Sequence, residues 1–295
     1  MPFLTPLRYP GGKGKLANFM KLVFRDNIIL DAPYVEPFAG GAGVAIALLF
    51  DEFTSHIYIN DINRSIYAFW HSVLNDTDAL CQLIHDTPVT IEEWESQQSV
   101  QQSADQATTL ELGFSTFFLN RTNRSGIIAG GVIGGKKQDG PYKLDARFNR
   151  KNLISRIQRI ARFSNRISIF NMDAAQFIRD VSPRISNNAL VYLDPPYYVK
   201  GQGLYQNYYE HDDHLEIARL VAGISQHWIV SYDNTPQIQA MYNGFRQIIY
   251  NLNYSAGQRY KGSEVMFFSD RLVIPAVENP ALIPAKQVFQ TLLPI

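Results

Sequence analysis

The stretch Asn188-Ala189-Leu190-Val191-Tyr192-Leu193-Asp194-Pro195-Pro196-Tyr197 decides how this chain is read. Its first part is an apolar run of strand length without helical periodicity, the pattern of a strand buried on both faces. Two consecutive prolines forbid its continuation, because neither offers an amide donor and each fixes φ. What remains is a stiff strand end presenting a carboxylate (Asp194), two prolyl carbonyls (Pro195 and Pro196) and an aromatic ring (Tyr197). A carboxylate and a carbonyl together can accept both hydrogens of an exocyclic amine, while a tyrosine ring can stack on the heterocycle that carries it. The competing reading is a structural strand stop that happens to contain an aspartate.

Working outward, strand-like runs recur at 34–36, 56–60, 167–170 and 228–231, and a hairpin is predicted from 247–254 with 264–269. Helical patterns separate them at 15–24, 44–50, 66–74, 78–84, 152–162 and 215–221, the last capped by Asp212 or Asp213. Strands alternating with helices predict a mostly parallel α/β sheet. The Gln- and Ser-rich stretch 96–109 reads as an exposed helix or loop. Residues 120–142, with Gly126, Gly130, Gly131, Gly134, Gly135 and Gly140, read as a long functional loop or hairpin. The proline-punctuated end from Pro275 reads as a docked tail.

At 295 residues the chain can hold one large domain with an insertion, or two domains. A single cysteine, Cys81, excludes a disulfide within the chain and a Cys-cluster zinc site; its apolar helical context makes it a core residue. His211 and His214 flank Asp212 and Asp213, but this segment is expected to start a helix, and no metal is expected. No signal peptide and no apolar run near the ~20 residues needed to span a bilayer are evident, so a cytoplasmic protein is expected. Formal net charge is zero, yet 51–112 holds eleven acidic residues against one basic, while 121–166 holds twelve basic against two acidic. The basic block is where a polyanion would dock.

Two further motifs carry chemistry. In Glu36-Pro37-Phe38-Ala39-Gly40-Gly41-Ala42-Gly43 a strand hands over to a helix, and the glycines let backbone approach a ligand. Gly41 and Gly43 are followed at the third position by Ile46, so the dinucleotide fingerprint is incomplete and a nicotinamide enzyme is disfavoured. Glu36 would repel pyrophosphate and tolerate a cationic sulfonium or ammonium. Asp61, eighteen residues beyond Gly43, is placed to accept from ribose hydroxyls. In Leu7-Arg8-Tyr9-Pro10-Gly11-Gly12-Lys13-Gly14-Lys15 a P-loop is refused by spacing, but a glycine-flanked lysine can grip a carboxylate.

In this order, Arg8-Tyr9-Pro10-Gly11-Gly12-Lys13, Glu36 to Gly43, Asp61-Ile62-Asn63 and Asp194-Pro195-Pro196-Tyr197 resemble the D12 class of DNA adenine-N6 methyltransferases, the family of the Dam enzymes. Phe118-Leu119-Asn120-Arg121-Thr122-Asn123-Arg124-Ser125-Gly126 resembles the start of that family's recognition insertion. The resemblance implies a Rossmann-like S-adenosylmethionine-dependent methyltransferase sheet, mostly parallel with one antiparallel strand, plus an inserted, mainly helical and loop target recognition domain. The expected boundaries are 1–64 and 166–275 for the catalytic domain, 65–165 for the insert and 276–295 for the tail.

Carried over by position, Tyr9 and Lys13 would hold the cofactor's adenosine and carboxylate ends, Asp61 its ribose and Asp173 its adenine amino group. Phe38 and the turn Gly40, Gly41, Ala42, Gly43 would shape its methionine side, with Gly12, Glu36, Ile62, Ala174 and Asp194 as neighbours. Asp194, Pro195, Pro196 and Tyr197 would be catalytic. Arg121, Asn123 and Arg124 would read base edges, Asn120 would fill the gap left by an extruded base, and Arg156, Arg259 and Lys261 would contact phosphate. The implied partner is double-stranded DNA, with the protein expected as a monomer in a bacterial or phage-infected cell; a cognate restriction endonuclease is left open. Rival readings are methylation of cytosine N4, of adenine in RNA or of a protein glutamine amide, and an inactive nucleic-acid-binding protein of the same fold.

Overall fold

The computed structural model describes residues 4–8, 13–199, 209–253 and 261–289. Two compact units are present: Lys13–Ile62 with Met172–Ile295, and Met1–Gly12 with Asn63–Asn171.

Seven strands are described: β1 Tyr34–Glu36, β2 Ile57–Asn60, β3 Ile167–Phe170, β4 Leu190–Leu193, β5 His227–Asp233, β6 Arg246–Asn253 and β7 Lys261–Phe268. All but β3 lie in the first unit, in the order β2-β1-β4-β5-β7-β6. β1 pairs in parallel with β2 and β4, and β4 with β5, whereas β7 runs antiparallel to both β5 and β6. This is the mostly parallel sheet that the alternation predicts, with the one antiparallel strand that the resemblance implies.

Every residue of β1 and β4 is buried, because helices cover a parallel sheet on both faces. Helix α2, Gly43–Phe50, is apolar on all sides and buried from Val44 to Leu49. Helix α1, Ala17–Asp26, follows a 3-10 turn at Lys13–Leu16, a tighter start than the single helix expected from 15. Beneath β7, the Tyr242 ring stacks on Phe267 with centroids 4.6 Å apart. The tail docks on this unit: the Ile283 carbonyl accepts from Asn18 Nδ2 at 2.8 Å, and the Phe289 ring lies edge-on to Phe53.

The register matches Leu193 of β4 with Val230 of β5 and Val35 of β1 with Val191 of β4, so these parallel strands end along one edge. An acid stands at or just beyond the end of each: Glu36, Asp61, Asp194 and Asp233. The carboxyl edge of an open parallel sheet is where such folds bind ligands.

The helix His211–Ala222 starts earlier than expected. Its cap is Glu210 in a reciprocal box with Asp213, whose carboxylate accepts from the Glu210 amide at 2.8 Å. Asp212 and Asp213 therefore sit in its first turn and do not occupy the cap position.

The second unit is helical: α3 Arg64–Asn75, α4 Thr77–Asp86, α5 Ile91–Gln102, α6 Thr109–Thr122 and α7 Arg150–Ala161, with β3 at its end. The stretch 96–109 resolves into the end of α5, a turn, and a Thr108–Glu111 capping box that starts α6. α6 is buried from Leu112 to Asn120, with Phe117 and Phe118 packed against Phe69 and Phe148. α3 and α6 meet at Gly113, where an added Cβ would lie 2.6 Å from the Ala68 carbonyl oxygen. The expected loop after Asn120 is the end of α6, a 3-10 turn at Arg124–Gly126 and an antiparallel bridge from Asn123 to Val132. Among the described residues no helix is long and apolar enough to cross a membrane.

Candidate active site

Asp194 leaves β4 with its two oxygens in different states. Oδ1 accepts from Ser231 Oγ at 2.8 Å and lies 3.2 Å from Lys13 Nζ, while Oδ2 has no partner among the described residues. Ser231 is itself fixed by the Tyr192 hydroxyl at 2.7 Å. Burial pushes the Asp194 carboxyl above its usual range; Lys13 opposes this, and Glu264 adds to it. Two anchored donors on one oxygen leave the other as the acceptor open to an incoming group.

Lys13 is buried and its Nζ has three neighbours: Tyr197 Oη at 3.0 Å, Glu264 Oε1 at 3.1 Å and Asp194 Oδ1 at 3.2 Å. Burial alone would push the ammonium down, but Asp194, Tyr197 and Glu264 together hold it well above its ordinary value. Of its three N–H donors, two go to Tyr197 and Glu264, and Asp194 is its ion-pair partner. These contacts bring Lys13 into one corner with Asp194, Tyr197 and Glu264.

Tyr197 is buried, its ring 4.8 Å below Lys13 Nζ and its hydroxyl donating to Glu264 Oε1 at 2.6 Å. The hydroxyl belongs to the same charged network. The backbone after the prolines is held by Asp233, whose carboxylate accepts from the amides of Tyr198 at 2.9 Å and Val199 at 3.1 Å. Pro195 is buried and Pro196 half-buried beside Asp194.

At the end of β1 the chain turns through Gly40 and Ala42, both in the left-handed region at φ 47° and 46°. Asp61 Oδ2 accepts from the Gly40 amide at 2.9 Å, and Asn60 O accepts from Ala39, tying the turn to β2. Glu36 is buried at the start of α2 and accepts from the Ala45 amide at 3.2 Å. Burial pushes its carboxyl up to about 8, so it is mostly neutral at pH 7. Burial outweighs the bond from the Ala45 amide, which favours the charged form.

Phe38 meets the ring of Tyr209 edge-on at 5.7 Å, and burial followed by the carboxylates of Asp173, Asp213 and Asp61 drives the Tyr209 phenol upward. Asp173 caps the helix Ala174–Asp180 through the amides of Ala175 and Gln176. Ala174 is buried, while Ile62 is 45% exposed. Tyr9, Gly12 and Arg259 lie outside the described residues, and for Lys261 only the backbone in β7 is described.

In the helical unit the residues expected to contact DNA differ in burial. Asn120 is buried; its amide donates to the carbonyls of Arg8 at 2.6 Å and Gly126 at 2.8 Å, and its Oδ1 accepts from the Arg8 amide at 2.7 Å. Asn123 is buried too, donating to the Ile127 and Ile128 carbonyls and accepting from Trp94 Nε1 at 2.6 Å. Both side chains hold the end of α6 to the chain around it.

Arg124 is exposed. Arg121 Nε donates to the Arg147 carbonyl and Nη1 to the Pro6 carbonyl, while Arg156 donates to Thr5 and Arg8 to the Asn123 carbonyl. Burial, then repulsion from Arg8, Arg156 and Arg147, pushes Arg121 down to about 9. No carboxylate pairs with any of these four arginines among the described residues.

A family model for D12 class N6 adenine-specific DNA methyltransferases matches residues 9–255. The chain belongs to this family. No curated protein matches it. Among solved structures, PH1948 from Pyrococcus horikoshii, a candidate RNA methyltransferase, is 9% identical, with a TM-score of 0.43 over 89% of this chain and 86% of its own. TrmK from M. capricolum, in complex with S-adenosylhomocysteine, is 8% identical, with a TM-score of 0.36 over 91% and 76%. The rRNA methyltransferase aviRa from Streptomyces viridochromogenes is 10% identical, with a TM-score of 0.35 over 84% and 83%.

The methyltransferase takes S-adenosylmethionine as its cofactor, which supplies an activated methyl on a sulfonium. The carboxyl edge fits such a molecule: a left-handed turn, the rings of Phe38 and Tyr209, and the acids Asp61 and Asp173 within electrostatic reach of Tyr209. Among the described residues no group of three or more His, Cys, Asp or Glu side chains could hold a metal. His214 is buried against the Tyr232 hydroxyl, and burial holds it down at about 4.

The motif reading missed Glu264, Ser231, Asp233 and Tyr209. Ser231 and Asp233 could have been found, since they end a predicted strand on the edge that carries Asp194. Glu264 carried no local signal.

Proposed function

We propose that the methyltransferase acts on adenine N6 in duplex DNA by extruding the base, and that Asp194 Oδ2 and the Pro195 carbonyl accept the two amine hydrogens. The adenine amine is a poor nucleophile because its lone pair is delocalised into the ring. Accepting both hydrogens makes the nitrogen more pyramidal and returns electron density to it, so that it can attack the methyl carbon in line. Catalysis is positioning plus stabilisation of charge growing on nitrogen, without a covalent enzyme intermediate. Extrusion costs a few kcal/mol, and stacking on the Tyr197 ring offsets roughly 1–3 kcal/mol of that.

The observation that carries this reading is the split state of Asp194, one oxygen anchored by Ser231 and Lys13 and the other left without a partner. The insert, residues 65–165, is read as the recognition domain. Arg124 is its base-edge candidate, and Arg8, Arg121, Arg147 and Arg156 suit phosphate: four cations held together with no acid among the described residues are relieved by a polyanion. The reading places a monomer in the cytoplasm of a bacterial or phage-infected cell.

The test is transfer of labelled methyl from S-adenosylmethionine to duplex DNA, RNA and protein, followed by nucleoside analysis. Label is expected in N6-methyladenine from DNA, and Asp194→Ala is expected to abolish it while cofactor affinity by calorimetry stays within about twofold. Label in cytosine, RNA or protein alone, or full activity in Asp194→Ala, would defeat the reading.

A further inference from the structure

We propose that Glu264, on the antiparallel strand β7, is a positioning residue that sets the charge and direction of Asp194 through Lys13. The inference rests on the adenine-N6 reading above. Glu264 is fully buried, yet three donors converge on its carboxylate: Lys13 Nζ at 3.1 Å and Tyr197 Oη at 2.6 Å on Oε1, and Tyr250 Oη at 2.7 Å on Oε2. A carboxylate with so many donors is held as an anion. Lys13 therefore lies between two carboxylates, Glu264 and Asp194.

The consequence is arithmetic of charge. A second carboxylate on Lys13 divides the ammonium's pull, and Asp194 keeps the electron density it needs as an acceptor. Were Lys13 paired with Asp194 alone, the pair would be neutral, and the carboxylate would draw less strongly on the amine hydrogens. Glu264 also fixes where Lys13 stands, and thereby which Asp194 oxygen is anchored.

The groups that act on Asp194 come from five elements. Lys13 comes from the first turn, Tyr192 from β4, Ser231 from β5, Glu264 from β7, and Tyr34 and Glu36 from β1. Glu36 is mostly neutral at pH 7, which makes Glu264 the charged acid in this set.

Glu264→Gln keeps the shape and an oxygen acceptor while removing the charge. In single-turnover methyl transfer with saturating DNA and cofactor, we expect the rate to fall about ten- to a hundredfold with KM values within about twofold. The acid limb of its pH profile should move to lower pH, because the negative neighbour that raises Asp194 is gone. Glu264→Asp, which retains the charge, should return the limb to its wild-type position. Glu264→Ser, small enough to leave room for water beside Lys13, is expected to move it in the same direction as Gln if the Gln variant does not fold.

An unmoved acid limb, or a loss confined to KM or to thermal stability, overturns the proposal. Should wild-type protein transfer nothing to adenine, the functional reading fails separately. Titration of the Asp194 carboxyl by 13C NMR then decides this inference by itself: its midpoint should drop in Glu264→Gln, and an unchanged midpoint sinks it.

Discussion

A glutamate at the end of a buried strand keeps its charge only at a cost. Glu36 titrates near 4.5 when exposed and is pushed up to about 8 by burial. Between those values the folded chain holds a proton that the unfolded chain has released, so stability falls as pH rises through the window and levels off above it. Glu36→Gln retains an acceptor for the Ala45 amide and has no proton to lose. Urea midpoints between pH 5 and 9 should therefore show the variant gaining on wild type as pH rises, by roughly 3–5 kcal/mol at pH 8 and above. Parallel pH profiles would refute this. The motif marked Glu36 as part of the cofactor turn, but its neutrality was invisible there. Desolvation depends on what α2 and β4 pack over it, and no local pattern reports that.

Elements differ in how far their own residues announce them. β4 and its proline stop were readable because every cause is local: apolar continuity, two missing amides, one acid. The links of Glu264 were unreadable, since its bond to Lys13 joins residues 251 positions apart, through an antiparallel strand that enters between two others. The contacts of Asn120 and Asn123 were unreadable for a related reason. No local pattern shows that Asn120 sits in the last turns of a helix buried from Leu112 onward, that Asn123 caps it, and that their side chains tie its end to Arg8 and to the chain beyond. The crossing of α3 and α6 offers a test at this scale. Gly113→Ala would bring a Cβ within 2.6 Å of the backbone oxygen of Ala68. A loss of roughly 1–3 kcal/mol in denaturant unfolding is expected, and a neutral result would show that the two helices can part at little expense.

Over the whole molecule, a net charge of zero conceals opposed blocks, and the basic one gathers arginines that pair with no acid among the described residues. Their role is measurable as salt dependence. Arg156→Ala should weaken DNA binding alike on all sequences and lower the slope of log K against log salt by about one. Arg124→Ala should relax sequence preference and leave the slope nearly unchanged. Anisotropy titrations at several salt concentrations distinguish these outcomes, and equal slopes for wild type and Arg156→Ala would remove Arg156 from the phosphate contacts.

The position of β7 also bears on how activity emerges during synthesis. Lys13 leaves the ribosome early, and Asp194 with its prolines follows, but the acid that completes their charge balance arrives only with the closing hairpin. A nascent polypeptide can thus assemble the parallel half of the sheet while its reactive corner stays electrically incomplete. If Glu264 sets the charge of Asp194, methyl transfer waits for β7 to be made.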